Sequence, residues 1–471
     1  MEFRPNEAEI RRRMDAAGMP ALVVEAFLQN VRCWCAGELG TISGATLAPL
    51  GPLPRLDELD ELDPAGETAI ARTVLLKLNG GLGTSMGLER AKSLIVAKNG
   101  LTFLDVVVRQ VEFLRRRCRA PLPLLLMNSF STEADSRAAL AERHPDFANP
   151  GGLPLSFCQH RVPKLAVATR APVDWPENPA LEWCPPGHAD IYHALQTTGL
   201  LARLLELGFR YAFVSNSDNL GALLHMGILA HVAGRGIPFL MEVTGRTECD
   251  RKGGHLARDR ATGRLLLRES AQCPADETDD FQDVRKHSLF NTNNLWLDLV
   301  ALRDMLAGCG GLPPLPLIVN RKTVDPVRAD SPAVVQLEAA MGAAISCFAN
   351  AAALVVPRSR FAPVKTTNDL LAIRSDLYTL GAEHQVALHP LRFAPPPDVL
   401  LDPRFYKNIA DFEDRFAQGA PSLLQCEALR IDGDIHFGAD VRIEGAVHLR
   451  NPTDTPARIP AGTRLHTPAT A

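Results

Sequence analysis

Apolar positions recur along this chain in two alternating periods from about Ala71 onward. The short runs VLLKLN, LPLLLMNS and RYAFVSN read as buried strands, while LTFLDVVVRQVEFLRRR and LGALLHMGILAHVAG carry apolar residues at helical spacing. Strands alternating with amphipathic helices predict an α/β domain on a mixed, mostly parallel sheet. Ligands of such sheets sit beyond the carboxyl ends of the strands. Thr102 and Asp105 have capping-box spacing at the start of the first of these helices. Upstream, EAEIRRRMDAAGMPALVVEAFLQNVRCW is helical in period, and GPLPRLDELDELDPAGE interrupts it with proline and acid, so 1–70 read as a helical arm and linker. From Leu429 the period shortens again, with Gly433, Gly438 and Gly445 at turn positions. Near-hexapeptide spacing predicts a small left-handed β-helix, with an antiparallel meander as the alternative. The expected organisation is therefore 1–70, an α/β domain over 71–395, and a β-rich module over 396–471.

Composition removes several function classes. The chain has 471 residues, 22% of them charged, with a formal net charge of -4, so no basic field points to nucleic acid. A local pocket of lysine and arginine for acidic small molecules needs no such field. The 10 cysteines are scattered, and the close pair Cys33 and Cys35 has no second pair to complete a zinc site, which suggests reduced thiols and a cytoplasmic location. The first residues are too charged for a signal peptide and no apolar run reaches bilayer length, so no membrane partner is expected.

The chemistry concentrates in KLNGGLGTSMG, Lys77 to Gly87, directly after a buried strand. Glycine loses more backbone entropy on folding than any other residue, so such a cluster implies a very tight turn or a ligand close to bare N–H groups. Neither common phosphate motif is satisfied. Lys92-Ser93 lies too far from Gly87 for a P-loop, and Met86 stands where the third glycine of a dinucleotide fingerprint belongs.

With AKSLIVAKNGLTFLD behind it, this loop resembles the nucleotide-binding signature of the UDP-glucose pyrophosphorylase family. WCPPGHADIYHAL, FVSNSDNLGA, RKGGHLA, FNTNNLW and VPRSRFAPVKTTNDLLAIRSDLYTL resemble further family blocks, in the family's order, from about Ala71 to the C-terminus. The resemblance implies a Rossmann-like, GT-A-like nucleotidyltransferase domain. It implies an enzyme joining glucose 1-phosphate to UTP with release of pyrophosphate, assisted by Mg2+. Asn79 and the run Thr84-Ser85-Met86-Gly87 favour the UDP-glucose branch over the UDP-N-acetylhexosamine one.

Transfer of this kind depends on charge neutralisation and alignment. The resemblance assigns Lys92 to the triphosphate and Lys365 to the transferring phosphate; a solvated Lys92 is the alternative. Asp218, delivered with Asn216 to a strand's carboxyl edge, suits magnesium as a hard oxygen ligand, unless Ser217 or Asp218 only caps a helix. Asn216 resembles a nucleoside or sugar contact. Gln159 resembles the uracil reader, since an amide matches a donor and an acceptor at once; its alternative is an exposed strand-end glutamine. The family places Gly187 beside uracil and His188 near the phosphates. Leu78, Asn79 and Gly80, with Gly81, Gly83 and Thr84, complete the nucleotide site. Gly254, Glu269, Asn291 and Asn293 resemble the residues that hold the hexose, although FNTNN could also start a helix. Arg358 and Arg360 could instead serve structural ion pairs nearby. Ala91, Cys184 and Ala189 depart from the family pattern, which expects proline, an aromatic and glycine there. Broader hexose specificity, including galactose 1-phosphate, and a non-catalytic nucleotide-binding relative stay open, as does self-association through the C-terminal module.

Overall fold

The computed structural model describes residues 6–60, 63–247 and 250–466. The site is built on β1 (Thr73–Leu78), β2 (Leu124–Asn128), β3 (Ser156–Cys158), β4 (Tyr211–Asn216), β5 (Phe239–Gly245), β6 (His255–Asp259), β7 (Leu289–Asp298) and β8 (Ala352–Val355) of one large mixed sheet. Strands β3, β2, β1 and β4 run parallel in that order, and β8 is parallel to β5. The long β7 is antiparallel to β4, β5 and β6. β1 and β4 are buried along almost their whole length, as helices on both faces of a parallel sheet require. Their register sets Asn216 level with Leu78, so the glycine loop and the Ser217-Asp218-Asn219 segment leave the sheet side by side.

The capping box forms as predicted. Thr102 Oγ1 accepts from the Asp105 amide at 3.1 Å, and the Asp105 carboxylate accepts from the Thr102 amide at 2.8 Å, opening the helix Phe103–Cys118. The helix read in LGALLHMGILAHVAG begins only at Met226. Its first residues stay irregular because buried side chains claim their carbonyls: Lys77 takes Ala222 O and Arg360 takes Leu223 O.

The N-terminal helices, Glu7–Ala16 and Ala21–Ala36, do not project as an arm. Met14, Phe27, Leu28 and Trp34 pack with Leu165, Val335 and Leu337 in a small core of their own. In the following segment, the Val355 amide donates to Pro54 O at 2.9 Å, and Asp63 then caps the helix Pro64–Ile70. At the other end Asp398–Leu401, Ser422–Asp432, Arg442–Arg450 and Arg464–His466 form consecutive parallel ladders, which rules out the antiparallel meander. Tyr406, Phe412 and Phe416 join Leu429, Ile431 and Phe437 of these coils to the core of the α/β domain. Among the described residues no helix is long and apolar enough to cross a membrane.

Candidate functional site

The glycines of the loop serve different ends. A Cβ on Gly80 would collide with Gln159 Nε2, one on Gly83 with Leu88, and one on Gly87, at φ 68°, would lie 2.7 Å from Asn408 Oδ1. Gly83 is held by packing and Gly87 by packing and its positive φ, whereas Gly80 answers to the present position of the Gln159 amide. Gly81 is exposed, has no strained φ, and an added Cβ there would meet nothing within 4 Å. Among the loop glycines, Gly81 alone has open space where a side chain would stand, while its carbonyl accepts from the Lys92 amide at 3.2 Å. The loop is otherwise stiff: Asn79 Nδ2 donates to Asn128 Oδ1 (2.7 Å) and Ser136 Oγ (2.9 Å), and Ser129 Oγ donates to Gly80 O (2.8 Å). Leu78 ends β1 beneath it, and Thr84 opens a 3-10 turn after Gly83. Ala91 adopts φ -54°, close to the value proline enforces. Its N–H also donates to Asp135 at 3.4 Å, a bond proline could not make.

Beside the loop, both assigned lysines converge on Asp218. Lys92 Nζ lies 2.6 Å and Lys365 Nζ 3.5 Å from Asp218 Oδ2. The side chains of Lys92 and Asp218 are 14% and 11% exposed, whereas that of Lys365 is 57% exposed. Asp218 caps no helix, since the next one is Met226–Arg235 with His225 at its N-cap. The Val364 amide donates to Asp218 O at 3.3 Å, which brings the Lys365 segment alongside. Asp218 Oδ1 is buried with no hydrogen-bond partner. An unsatisfied carboxylate oxygen is costly, and here it fits one ligand of a magnesium ion whose remaining ligands are phosphate and water. Among the described residues no group of three or more His, Cys, Asp or Glu could hold a metal without such help.

Gln159 sits at the end of β3 over Gly80, 8% exposed, so it is strand-terminal but not solvent-facing. Gly187, at φ 89°, presses against the Ala339 peptide where a Cβ has no room. His188 Nδ1 accepts from the Met341 amide at 2.9 Å, which puts the ring proton on Nε2. Burial, with Lys365 nearby, pulls His188 down to about 4, so the ring is neutral near pH 7. Ala189 is right-handed helical and needs no glycine. Cys184 packs in the N-terminal core, where burial pushes its thiol up to about 12 and leaves it unreactive.

On the far side, a Cβ on Gly254 would lie 2.5 Å from Glu269 Oε2. Burial raises the Glu269 carboxyl above its ordinary range. Asn291 and Asn293 start no helix. They lie on β7 at a bulge, where three residues of β7 oppose Glu242 of β5. The bulge puts Asn293 at φ 62°, its amide held by Asn291 Oδ1 at 2.8 Å, and turns its side chain onto Asn216 Oδ1 at 2.9 Å. From Gly254, whose carbonyl accepts from the Asn291 amide at 3.1 Å, hydrogen bonds lead through Asn291 and Asn293 to Asn216 at the edge bearing Asp218, with Glu269 beside Gly254.

The profile of the UDPGP family, described as UTP--glucose-1-phosphate uridylyltransferase, matches residues 46–444. The chain belongs to this family. It is 41% identical over 393 residues to the UTP--glucose-1-phosphate uridylyltransferase of Solanum tuberosum, covering 83% of this chain and 79% of that protein. The Saccharomyces cerevisiae enzyme of the same name is 40% identical over 386 residues, covering 82% and 75%. Among solved structures, a mutant UDP-glucose pyrophosphorylase from Leishmania major in complex with UDP-glucose is 43% identical with a TM-score of 0.90, over 98% of both chains. The Trypanosoma brucei protein is 41% identical, also at a TM-score of 0.90.

In this uridylyltransferase-family chain, some supporting residues escaped the sequence reading. Glu242 is fully buried and accepts both Arg360 nitrogens at 2.6 and 2.8 Å, Trp296 Nε1 at 2.9 Å and Asn294 Nδ2 at 3.0 Å. Arg358 pairs with Asp250 at 2.7 Å, so both arginines make structural ion pairs. The glycines also differ in a measurable way. Gly81→Ala is expected to leave the unfolding midpoint unchanged and to raise KM for the nucleotide about tenfold, whereas Gly80→Ala lowers both stability and base discrimination. Thermal melts paired with steady-state kinetics separate the two; a Gly81→Ala protein with native KM would remove the ligand from that face of the loop.

Proposed function

We propose that this chain is a magnesium-dependent UTP--glucose-1-phosphate uridylyltransferase, in which a phosphate oxygen of glucose 1-phosphate attacks the α-phosphorus of UTP in line with departing pyrophosphate. The observation that carries the reading is the convergence of Lys92 and Lys365 on Asp218, beside exposed Gly81 and at the carboxyl edge of parallel strands.

Lys92 is the more enclosed ammonium and holds the triphosphate while the N–H groups around Gly81 approach it. Lys365, looser and more exposed, swings from Asp218 to the transferring phosphate as negative charge builds there. Neutral His188 offers one Nε2–H to a phosphate oxygen without adding charge. Gln159 reads uracil above Gly80, with the backbone of Leu78, Asn79 and Gly187 around the base. Glu269, Asn291 and Asn293, against Gly254, hold the hexose hydroxyls, and Asn216 bridges the two halves. Asp218, with its unpartnered Oδ1, would hold the magnesium; when bound, the ion neutralises phosphate charge and fixes the α-phosphate's orientation. The same reading divides the chain into an N-terminal segment 1–70, a catalytic domain 71–395 and a C-terminal left-handed β-helix 396–471, the last supported by its parallel ladders. It takes the protein to be cytoplasmic, with the coils as the surface for any self-association.

Pyrophosphate release from UTP with a panel of sugar 1-phosphates, with and without magnesium, tests the proposal. Release with glucose 1-phosphate is expected to dominate, and equal rates with galactose 1-phosphate would favour the broader pyrophosphorylase. No release with any hexose phosphate would reduce the chain to a nucleotide-binding relative. In the same assay Gln159→Ala should lose about tenfold of the preference for UTP over CTP; an unchanged ratio would take Gln159 out of base reading.

A further inference from the structure

Lys77 opens the glycine motif, yet it points into the protein. It is 4% exposed on β1, one residue before the loop begins. Its Nζ donates to Ser215 Oγ at 2.7 Å and to Ala222 O at 3.1 Å, with the Phe213 ring 5.8 Å away. Ser215 is its register partner on β4, and Ala222 lies four residues beyond Asp218 in the irregular segment 217–225.

We propose that Lys77 is a positioning residue for the transfer reaction, tethering the Asp218 loop at its working height beside the glycine loop. The inference rests on the roles given above to Asp218 and Lys365. Its warrant is the way the two segments carrying those residues are joined. Arg360 Nη2 donates to Leu223 O at 2.8 Å, and its guanidinium is locked on buried Glu242. Arg360 O accepts from Asn219 Nδ2 at 3.1 Å, and Asn219 Oδ1 from the Ala362 amide at 3.0 Å. With the Val364 bond to Asp218 O, residues 217–224 and 358–365 become one stitched unit, on which both Asp218 and Lys365 ride.

Arg360 on Glu242 and Asn219 Nδ2 on Asn294 Oδ1, 3.3 Å, hold that unit to β5 and β7, and Lys92 on Asp218 ties it to the segment after the glycine loop. Toward β1, on which the glycine loop stands, the hydrogen bonds from this unit among the described residues are the one from the Ser217 amide to Leu78 O, 3.0 Å, and the one from Lys77 to Ala222 O. A buried ammonium is an expensive choice for a place that only needs filling. Burial pulls Lys77 down to about 7, with Arg360 adding repulsion and Glu242 opposing it. Charged or neutral, it keeps at least two N–H donors for its two acceptors, so the tether holds in either form.

The test uses the full chain. Lys77→Met keeps most of the volume and removes both donors. Small displacements of a positioned group carry large kinetic effects, so kcat should fall about thirtyfold and half-saturating magnesium rise about tenfold, with KM for UTP within about threefold of native. Ser215→Ala, which removes one acceptor, should move magnesium saturation in the same direction. The double variant should be no worse than Lys77→Met, because both cut one tether. A merely structural role would lower the melting midpoint and the active fraction while leaving magnesium saturation in place; that result, or additive effects, overturns the proposal. Should Lys77→Met fail to fold, magnesium saturation of Ser215→Ala decides alone. A natural chain inactive across the sugar-phosphate panel overturns the assignment of the site instead.

Discussion

Asp218→Asn is expected to reduce turnover by about a thousandfold while the protein stays folded. The substitution removes the anionic charge from the one carboxylate on which both lysines converge, and it turns an unpartnered acceptor into a neutral amide. Asp218 is the residue that would hold the proposed magnesium, whose neutralisation of developing phosphate charge would contribute several kcal/mol, and about 4 kcal/mol corresponds to the stated factor. The backbone at Asp218 is held independently, by the Val364 amide and by the Asn219 network, so circular dichroism and the melting midpoint should remain near native. Pyrophosphate release titrated with magnesium checks it. Turnover within fivefold of native at saturating metal would exclude Asp218 from the reaction centre.

The second large effect belongs to Lys365. Lys365→Ala should lower kcat about a hundredfold to a thousandfold with KM for UTP changed less than about threefold, the pattern of an interaction made in the transition state rather than in the bound complex. The geometry favours this split. At 57% side-chain exposure and 3.5 Å from Asp218, Lys365 is the more exposed and more distant of the two ammonium groups. Lys92, at 2.6 Å and 14% exposure, is the ammonium proposed to hold the triphosphate in the bound complex, so Lys92→Ala should raise KM as well as lower kcat. Steady-state kinetics on both variants decide it; a Lys365→Ala enzyme with native kcat and a large KM would reverse the two assignments.

How much of this could be read from the chain depends on the range of the interactions. Local signals carried well: Thr102 and Asp105 are three apart and made their capping box, and the apolar runs became β1, β2 and β4. Collinear family blocks located Lys92, Asp218 and Lys365, which stand far apart along the chain. What they could not convey was why each glycine is there. Gly80 and Gly87 answer to Gln159 and Asn408, and that distinction from Gly81 exists only once distant side chains are in place. FNTNN looked equally good as a helix start because the bulge that turns Asn293 outward is set by Glu242 on the neighbouring strand. The docking of the N-terminal helices was illegible for the same reason: their apolar stripe shows that they cover something, and Leu165, Val335 and Leu337 show what. Lys77 was hidden in plain view, since a lysine beside a phosphate loop suggests a ligand contact, and only its depth reveals that it faces inward.

The pairing of Lys92 and Lys365 with Asp218 gives both ammonium groups an anionic partner built into the chain itself. The ammonium groups do not wait unneutralised between cycles, and adventitious anions must compete with a tethered carboxylate that never diffuses away. On the roles proposed for the two lysines, the same carboxylate would take the cations back as the leaving group departs, so that the chain would carry its own eluent.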